Sequence, residues 1–194
     1  MNSADRADLI LVVIGASAGG VEALKVLLGE LPDNFPAAIV IVQHIAANSR
    51  CSLAQLLDEI CTFPIKEAEE SEMICAGIAY LAPANYHLMI EPDFTFAFSI
   101  DAPVCYARPS IDVLFESAAE LVGPKLIGII LTGANSDGSD GLRKISQAGG
   151  ITIVQEPTNA KAAAMPLAAL LQVQADHVVT LEQLSSLLKQ LVHQ

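Results

Sequence analysis

Six apolar residues in a row, Leu9-Ile10-Leu11-Val12-Val13-Ile14, run straight into Gly15-Ala16-Ser17-Ala18-Gly19-Gly20, and a helical pattern from Val21 to Leu28 begins at once. A strand that is apolar on both faces belongs inside a sheet covered on both sides. A sharp turn from such a strand into a helix exposes the residue at its corner, and flanking glycines permit the tight backbone. Ser17 occupies that corner and is a candidate nucleophile. The same corner at a helix N-terminus can cradle a phosphate, and from these residues alone the two readings stand about even. Three absences weigh against a nucleotide site: no G-x-G-x-x-G, no P-loop lysine, and no acidic residue closing the second strand to hold a ribose.

The alternation continues along the chain. Ala37 to Val42 reads as a second buried strand, and Ser52 to Ile60 carries helical spacing in Leu53, Leu56, Leu57 and Ile60. Between Pro64 and Ser99 the pattern shifts to short runs, Ala79-Tyr80-Leu81, His87 to Ile90 and Phe94 to Phe98, broken by turn residues, which predicts antiparallel hairpins. Ser110 caps a helix that follows Pro109, and Leu126 to Leu131 reads as a buried strand. Then come a helix over Asp140 to Ala148, a strand over Ile151 to Val154, a helical stretch kinked or split at Pro166, a short strand near His177 to Thr180 and a last helix from Leu181. The expected fold class is α/β: an open, doubly wound, mostly parallel sheet with helices on both faces and a β-hairpin insertion. A length of 194 residues predicts one domain over 1–194.

Composition narrows the function. A net charge of -12 lacks the basic footprint that nucleic acid or an anionic membrane requires. Cys51, Cys61, Cys75 and Cys105 form no C-x-x-C pair and read as small buried hydrophobes, which suits a reducing cytoplasm. The N-terminal apolar run is too short to span a bilayer and lacks the form of a signal peptide.

In parallel sheets reactive groups gather at the carboxyl ends of the strands. Three polar residues fall there: Ser17 after the first strand, His44 after Ile39-Val40-Ile41-Val42-Gln43, and Asp137 after Ile127 to Leu131. A serine hydroxyl needs a base within hydrogen-bond reach, and the base needs a partner that fixes its tautomer. These three residues can supply those roles, with Asp140 as a rival acid. Asp137 also fits a helix cap or turn, and a histidine at a strand end is more often structural.

Gly15 to Gly20, Gln43-His44, Arg108-Pro109-Ser110-Ile111-Asp112, and Leu131-Thr132-Gly133 through Asp137-Gly138 together resemble the catalytic domain of the CheB-type chemotaxis protein-glutamate methylesterases. Tyr80-Leu81-Ala82-Pro83 with His87-Leu88, Gln155-Glu156-Pro157 and Met165-Pro166 extend the resemblance almost end to end. It implies Ser17 as nucleophile, His44 as general acid/base, Asp137 as the residue orienting it, and the backbone N–H of Ala134 in the oxyanion hole. Arg108 and His87 are weaker candidates for substrate contact. The implied reaction is hydrolysis of glutamate γ-methyl esters on chemotaxis receptor helices, releasing methanol, with no metal and no cofactor; some relatives also deamidate receptor glutamines. The family's usual form carries an N-terminal receiver domain, whereas this chain begins almost at the first catalytic strand, so such control is expected from another chain. Ala18, Ala46-Ala47-Asn48 and Ala134-Asn135 depart from the usual family residues, and the changed segment Ile45 to Arg50 leaves open a different ester or amide, or a receptor-binding module without catalysis.

Overall fold

The computed structural model describes residues 9–44 and 53–193. Its frame is a seven-stranded parallel sheet. β1 (Leu11–Ala16) lies at the centre, flanked by β2 (Ala38–Gln43) on one side and β7 (Leu126–Ile130) on the other. Outward from β2 follow β4 (Ala79–Leu81) and β3 (Ile65–Glu67); outward from β7 follow β8 (Ile151–Gln155) and β9 (His177–Val179). β1 and β2 are buried at every position, because each of their faces meets a separate helical layer.

The period of two along each strand sorts the core into two halves. Val12, Ile14, Ile39, Ile41, Ile127 and Ile129 face α1 (Gly20–Gly29), α2 (Leu53–Asp58) and α6 (Leu181–Leu191), where Leu24, Leu27, Leu28, Leu184 and Leu188 close the layer. Leu11, Val13, Val40, Leu126 and Ile130 point the other way, toward α3 (Ile111–Val122), α4 (Ser139–Gln147) and α5 (Ala164–Gln172). There Ile111, Leu114, Phe115, Leu142, Ile145 and Met165 fill the space. The antiparallel hairpin of β5 (His87–Ile90) and β6 (Phe96–Ser99) packs on this second side, with Tyr80 and Phe96 in edge contact at 5.0 Å.

Two expectations need correction. Ala79-Tyr80-Leu81 is not part of an antiparallel hairpin: it is β4, pairing in parallel with β2 through Ile39↔Ala79 and with β3 through Ile65↔Ala79. All three of its side chains are buried, and a run buried on both faces belongs to the parallel sheet. The helix at Pro166 is neither kinked nor split. Pro166 sits in the first turn of α5, where the missing N–H costs no helical hydrogen bond. The segment Ile45 to Arg50 and the start of the expected Ser52 to Ile60 helix lie outside the described residues.

Glycine permits a close contact between α3 and α4. At Gly141 in α4, an added Cβ would stand 2.5 Å from Phe115 Cβ and 3.2 Å from both Asp112 Cα and Asp112 O on α3. Backbone cannot yield there as a side-chain tip would. Gly141→Ala is therefore expected to lower unfolding free energy by about 1–3 kcal/mol in urea denaturation, the usual range for overpacking a close-packed contact.

Candidate active site

Strand register delivers the first two groups side by side. Ala16 pairs with Gln43 across β1 and β2, so the next residue on each strand is Ser17 on one and His44 on the other. The ladder runs one step further: His44 N–H donates to Ala16 O at 2.9 Å, and Ser17 N–H donates to Thr132 O at 3.0 Å on the β7 side. Gln43, buried at the strand end, donates through Nε2 to Ser17 O at 2.9 Å and to His44 O at 2.8 Å. One amide thus ties together the backbones of both candidate catalytic residues. Gly20 makes room for it, since a Cβ there would overlap Gln43 Oε1.

Asp137 supplies the third group from the loop between β7 and α4. Its carboxylate is fully buried and occupies the N-terminus of α3. Oδ2 accepts from Ile111 N–H at 2.8 Å, Oδ1 accepts from Asp112 N–H at 3.1 Å, and Ser110 Oγ donates to Oδ1 at 2.7 Å. His44 Nε2 completes the set at 2.8 Å from Oδ2. Burial pushes the Asp137 pKa up, but the hydrogen bonds from His44, from the two amides and from Ser110 outweigh it, and the net shift is downward. An anion at a helix N-terminus is further favoured by the macrodipole. Because the carboxylate is ionised and can only accept, Nε2 carries the imidazole proton, and Nδ1 is left as the basic nitrogen.

The His44–Asp137 link is formed; among the described residues no hydrogen bond joins the Ser17 hydroxyl to His44. Loose nucleophile–base contacts are common in unliganded sites. Asp140, the rival acid, is exposed and paired with Arg143 at 3.2 Å. Ala134 is exposed on the loop after β7, and its N–H has no protein partner among the described residues, as an oxyanion donor requires. Thr132 braces this loop against the serine corner, with Oγ1 donating to Ala18 O at 2.8 Å and its N–H donating to Gln155 Oε1 at 2.9 Å.

His44 opens into a cavity of about 310 Å³, lined also by Cys105, Tyr106, Ala107, Arg108, Pro109 and Asn135. Arg108 is on that wall, with Nη1 donating to Ile100 O at 2.7 Å and Asp101 O at 2.9 Å, so it clamps the base of the 100–108 loop. His87 is elsewhere. It is buried beneath the loop, with Nδ1 accepting from Ser110 N–H and Nε2 facing Ala102 O, both at 3.2 Å. It supports the Ser110 cap of α3 from behind. Cys105 Sγ, Asp112 and Asp137 place three metal-type donor atoms within 4.8 Å of one another. The Asp137 oxygens are already filled by donors, and Asp112 Oδ1 accepts from Gly141 N–H at 2.7 Å while Cys105 Sγ approaches its Oδ2.

Sequence reasoning gave Ser110 a capping role, which the structure bears out, but no role to Gln43, Thr132 or Asp112. The available signal for those three was polarity: each breaks or ends an otherwise apolar stretch. Asp112, buried behind Asp137, has its carboxyl pushed up to about 6, first by burial and then by the Asp137 charge, against the Gly141 N–H that lowers it. An acid whose folded pKa lies above its unfolded value favours folding most below the unfolded pKa and loses that contribution as pH rises through the folded pKa. The window here is pH 4 to about 6. Asp112→Asn is expected to gain about 2–3 kcal/mol on wild type between pH 4 and pH 7.5, measured by urea denaturation at both.

A family model described as CheB methylesterase matches residues 12–188. A Leptospira interrogans protein bearing the name protein-glutamate methylesterase/protein-glutamine glutaminase is 52% identical over 176 residues, covering 91% of each chain. A protein-glutamate methylesterase/protein-glutamine glutaminase of Anaeromyxobacter dehalogenans is 40% identical over 185 residues, 94% of this chain and 52% of its own length. The crystal structure of the Thermotoga maritima CheB methylesterase catalytic domain superposes with a TM-score of 0.91 at 33% identity, covering 94% of this chain and 98% of that one.

Proposed function

The chain belongs to the CheB methylesterase family, and on that premise we propose that it hydrolyses glutamate γ-methyl esters on chemotaxis receptor helices, with Ser17, His44 and Asp137 as its catalytic residues. One observation carries the assignment of roles: the buried Asp137 carboxylate, held ionised at the N-terminus of α3, takes His44 Nε2 at 2.8 Å and leaves Nδ1 basic. Ser17 stands on the adjacent strand end, tied to His44 through Gln43.

The reaction follows from those groups. Ser17 Oγ attacks the ester carbonyl while His44 Nδ1 takes its proton, and the imidazolium is stabilised by Asp137. The tetrahedral oxyanion receives the Ala134 N–H. Collapse breaks the bond to methoxide, which leaves as methanol with the proton from His44. Water then attacks the acyl-serine by the same proton route, regenerating Ser17 and releasing glutamate. A glutamine side chain in place of the ester gives the same acyl-enzyme and releases ammonia.

The proposed setting is cytoplasmic, with receptor helices as partners and a receiver domain as the control element, a reading that family membership supports. No helix among the described residues is long and apolar enough to cross a membrane. The chain spans about half the length of the Anaeromyxobacter relative. Ser17→Ala is expected to lower methanol release from methylated receptor by on the order of 10⁶ in kcat, and Asp137→Asn by on the order of 10⁴. Headspace detection of methanol reads both, and a Ser17→Ala rate equal to wild type removes Ser17 from the chemistry.

A further inference from the structure

The loop that walls the cavity ends in a tight two-residue turn. Val104 N–H donates to Ala107 O at 3.1 Å and Ala107 N–H donates back to Val104 O at 2.8 Å, leaving Cys105 and Tyr106 at the tip. Both tip residues have positive φ, 48° and 63°. Turns of this shape favour Asn-Gly or Gly-Gly, because a Cβ is strained in the left-handed region. The chain instead holds a thiol and an aromatic ring there.

The ring gains nothing from the fold. Tyr106 is 103% exposed, so burial does not offset the strained backbone. Its place explains it better than its packing: it lines the same cavity as His44, on a loop whose base Arg108 clamps to the carbonyls of Ile100 and Asp101. Ile100 and Val104, on the same loop, are also exposed large apolar side chains. Strained backbone clusters at active sites and ligand clamps, so an unburied ring on a strained turn beside the cavity points to a contact made outside the fold.

The charge balance says what kind of contact is needed. A chain of net charge -12 gains no long-range attraction toward an anionic helix, which leaves apolar contact at the rim as a source of affinity that charge does not supply. On a substrate helix the residues three and four positions from the esterified glutamate lie on the same face, one turn away.

We propose that Tyr106 is a specificity-determining residue, whose ring packs on an apolar side chain one turn from the glutamyl ester and so selects helical polypeptide esters over small ones. The inference rests on the methylesterase reading. It is tested by comparing kcat/KM on a methylated receptor cytoplasmic fragment with that on p-nitrophenyl acetate, for wild type, Tyr106→Ala, Tyr106→Phe and Tyr106→Gly. Tyr106→Ala is expected to lose about tenfold on the receptor fragment, through KM rather than kcat, and clearly less on the small ester. Tyr106→Phe should keep wild-type selectivity. Tyr106→Gly should raise Tm by relieving the turn while showing the same loss on the fragment, which separates recognition from folding. Tyr106→Ala equal to wild type on the fragment, or losing equally on both substrates, overturns the inference while leaving the methylesterase reading intact. Wild type that cleaves p-nitrophenyl acetate but not the receptor fragment, or cleaves neither, overturns that reading and the inference with it.

Discussion

A single buried carboxylate organises the chemistry of this fold. Placing an ion in the interior is unfavourable unless every lone pair finds a donor, and Asp137 finds four: Ile111 N–H, Asp112 N–H, Ser110 Oγ and His44 Nε2. Two come from the buried first-turn amides of α3, which would otherwise lack acceptors. Asp137 therefore caps a helix remote in sequence and, through the same oxygens, fixes the ring of His44. The cap and the base are positioned by one group, so neither can shift without the other.

Around that group the scaffold works as a set of ties between strand ends. β2, β1 and β7 are neighbours in the sheet, so the segments that follow them emerge on one rim. Gln43 joins Ser17 to His44, Thr132 joins the serine corner to the loop after β7, and His87 holds the Ser110 end of α3 in place. These bonds run from side chain to backbone, so they fix the chain positions of Ser17, His44 and Ser110. Asp112 shows the opposing tendency: it anchors α4 through Gly141 N–H, yet it sets a second carboxylate beside the first. The site accepts that unfavourable charge in exchange for a rigid wall.

Much of this was legible in the chain. β1, β2 and β7 are near-continuous apolar runs, β8 is one broken only by Thr152, and Ser17, His44 and Asp137 follow the first three, the position where open parallel sheets expose reactive groups. β3 and β4 were not legible as parallel strands. Each has three residues, and Ala79-Tyr80-Leu81 reads alike whether it pairs with a neighbouring hairpin or with β2, whose Ile39 is far away in sequence. Pro166 signalled a break, but its position in the first turn of α5 depends on where the helix begins, which packing sets.

The sequence by itself determined the alternation of buried strand and helix, the exposed corner at Ser17 and the absence of a basic surface, because these follow from local periodicity, glycine placement and charge count. Only the tertiary structure decided which acid bonds His44: the resemblance named Asp137, but local pattern leaves Asp137 and Asp140 alike, and they differ in whether the N-terminus of α3 receives them. It likewise turned His87 inward, set Arg108 to clamp a loop and left Tyr106 bare at the rim. Hydrogen-bond partners of buried groups are chosen by three-dimensional adjacency, and adjacency across a parallel sheet joins residues that no local pattern connects.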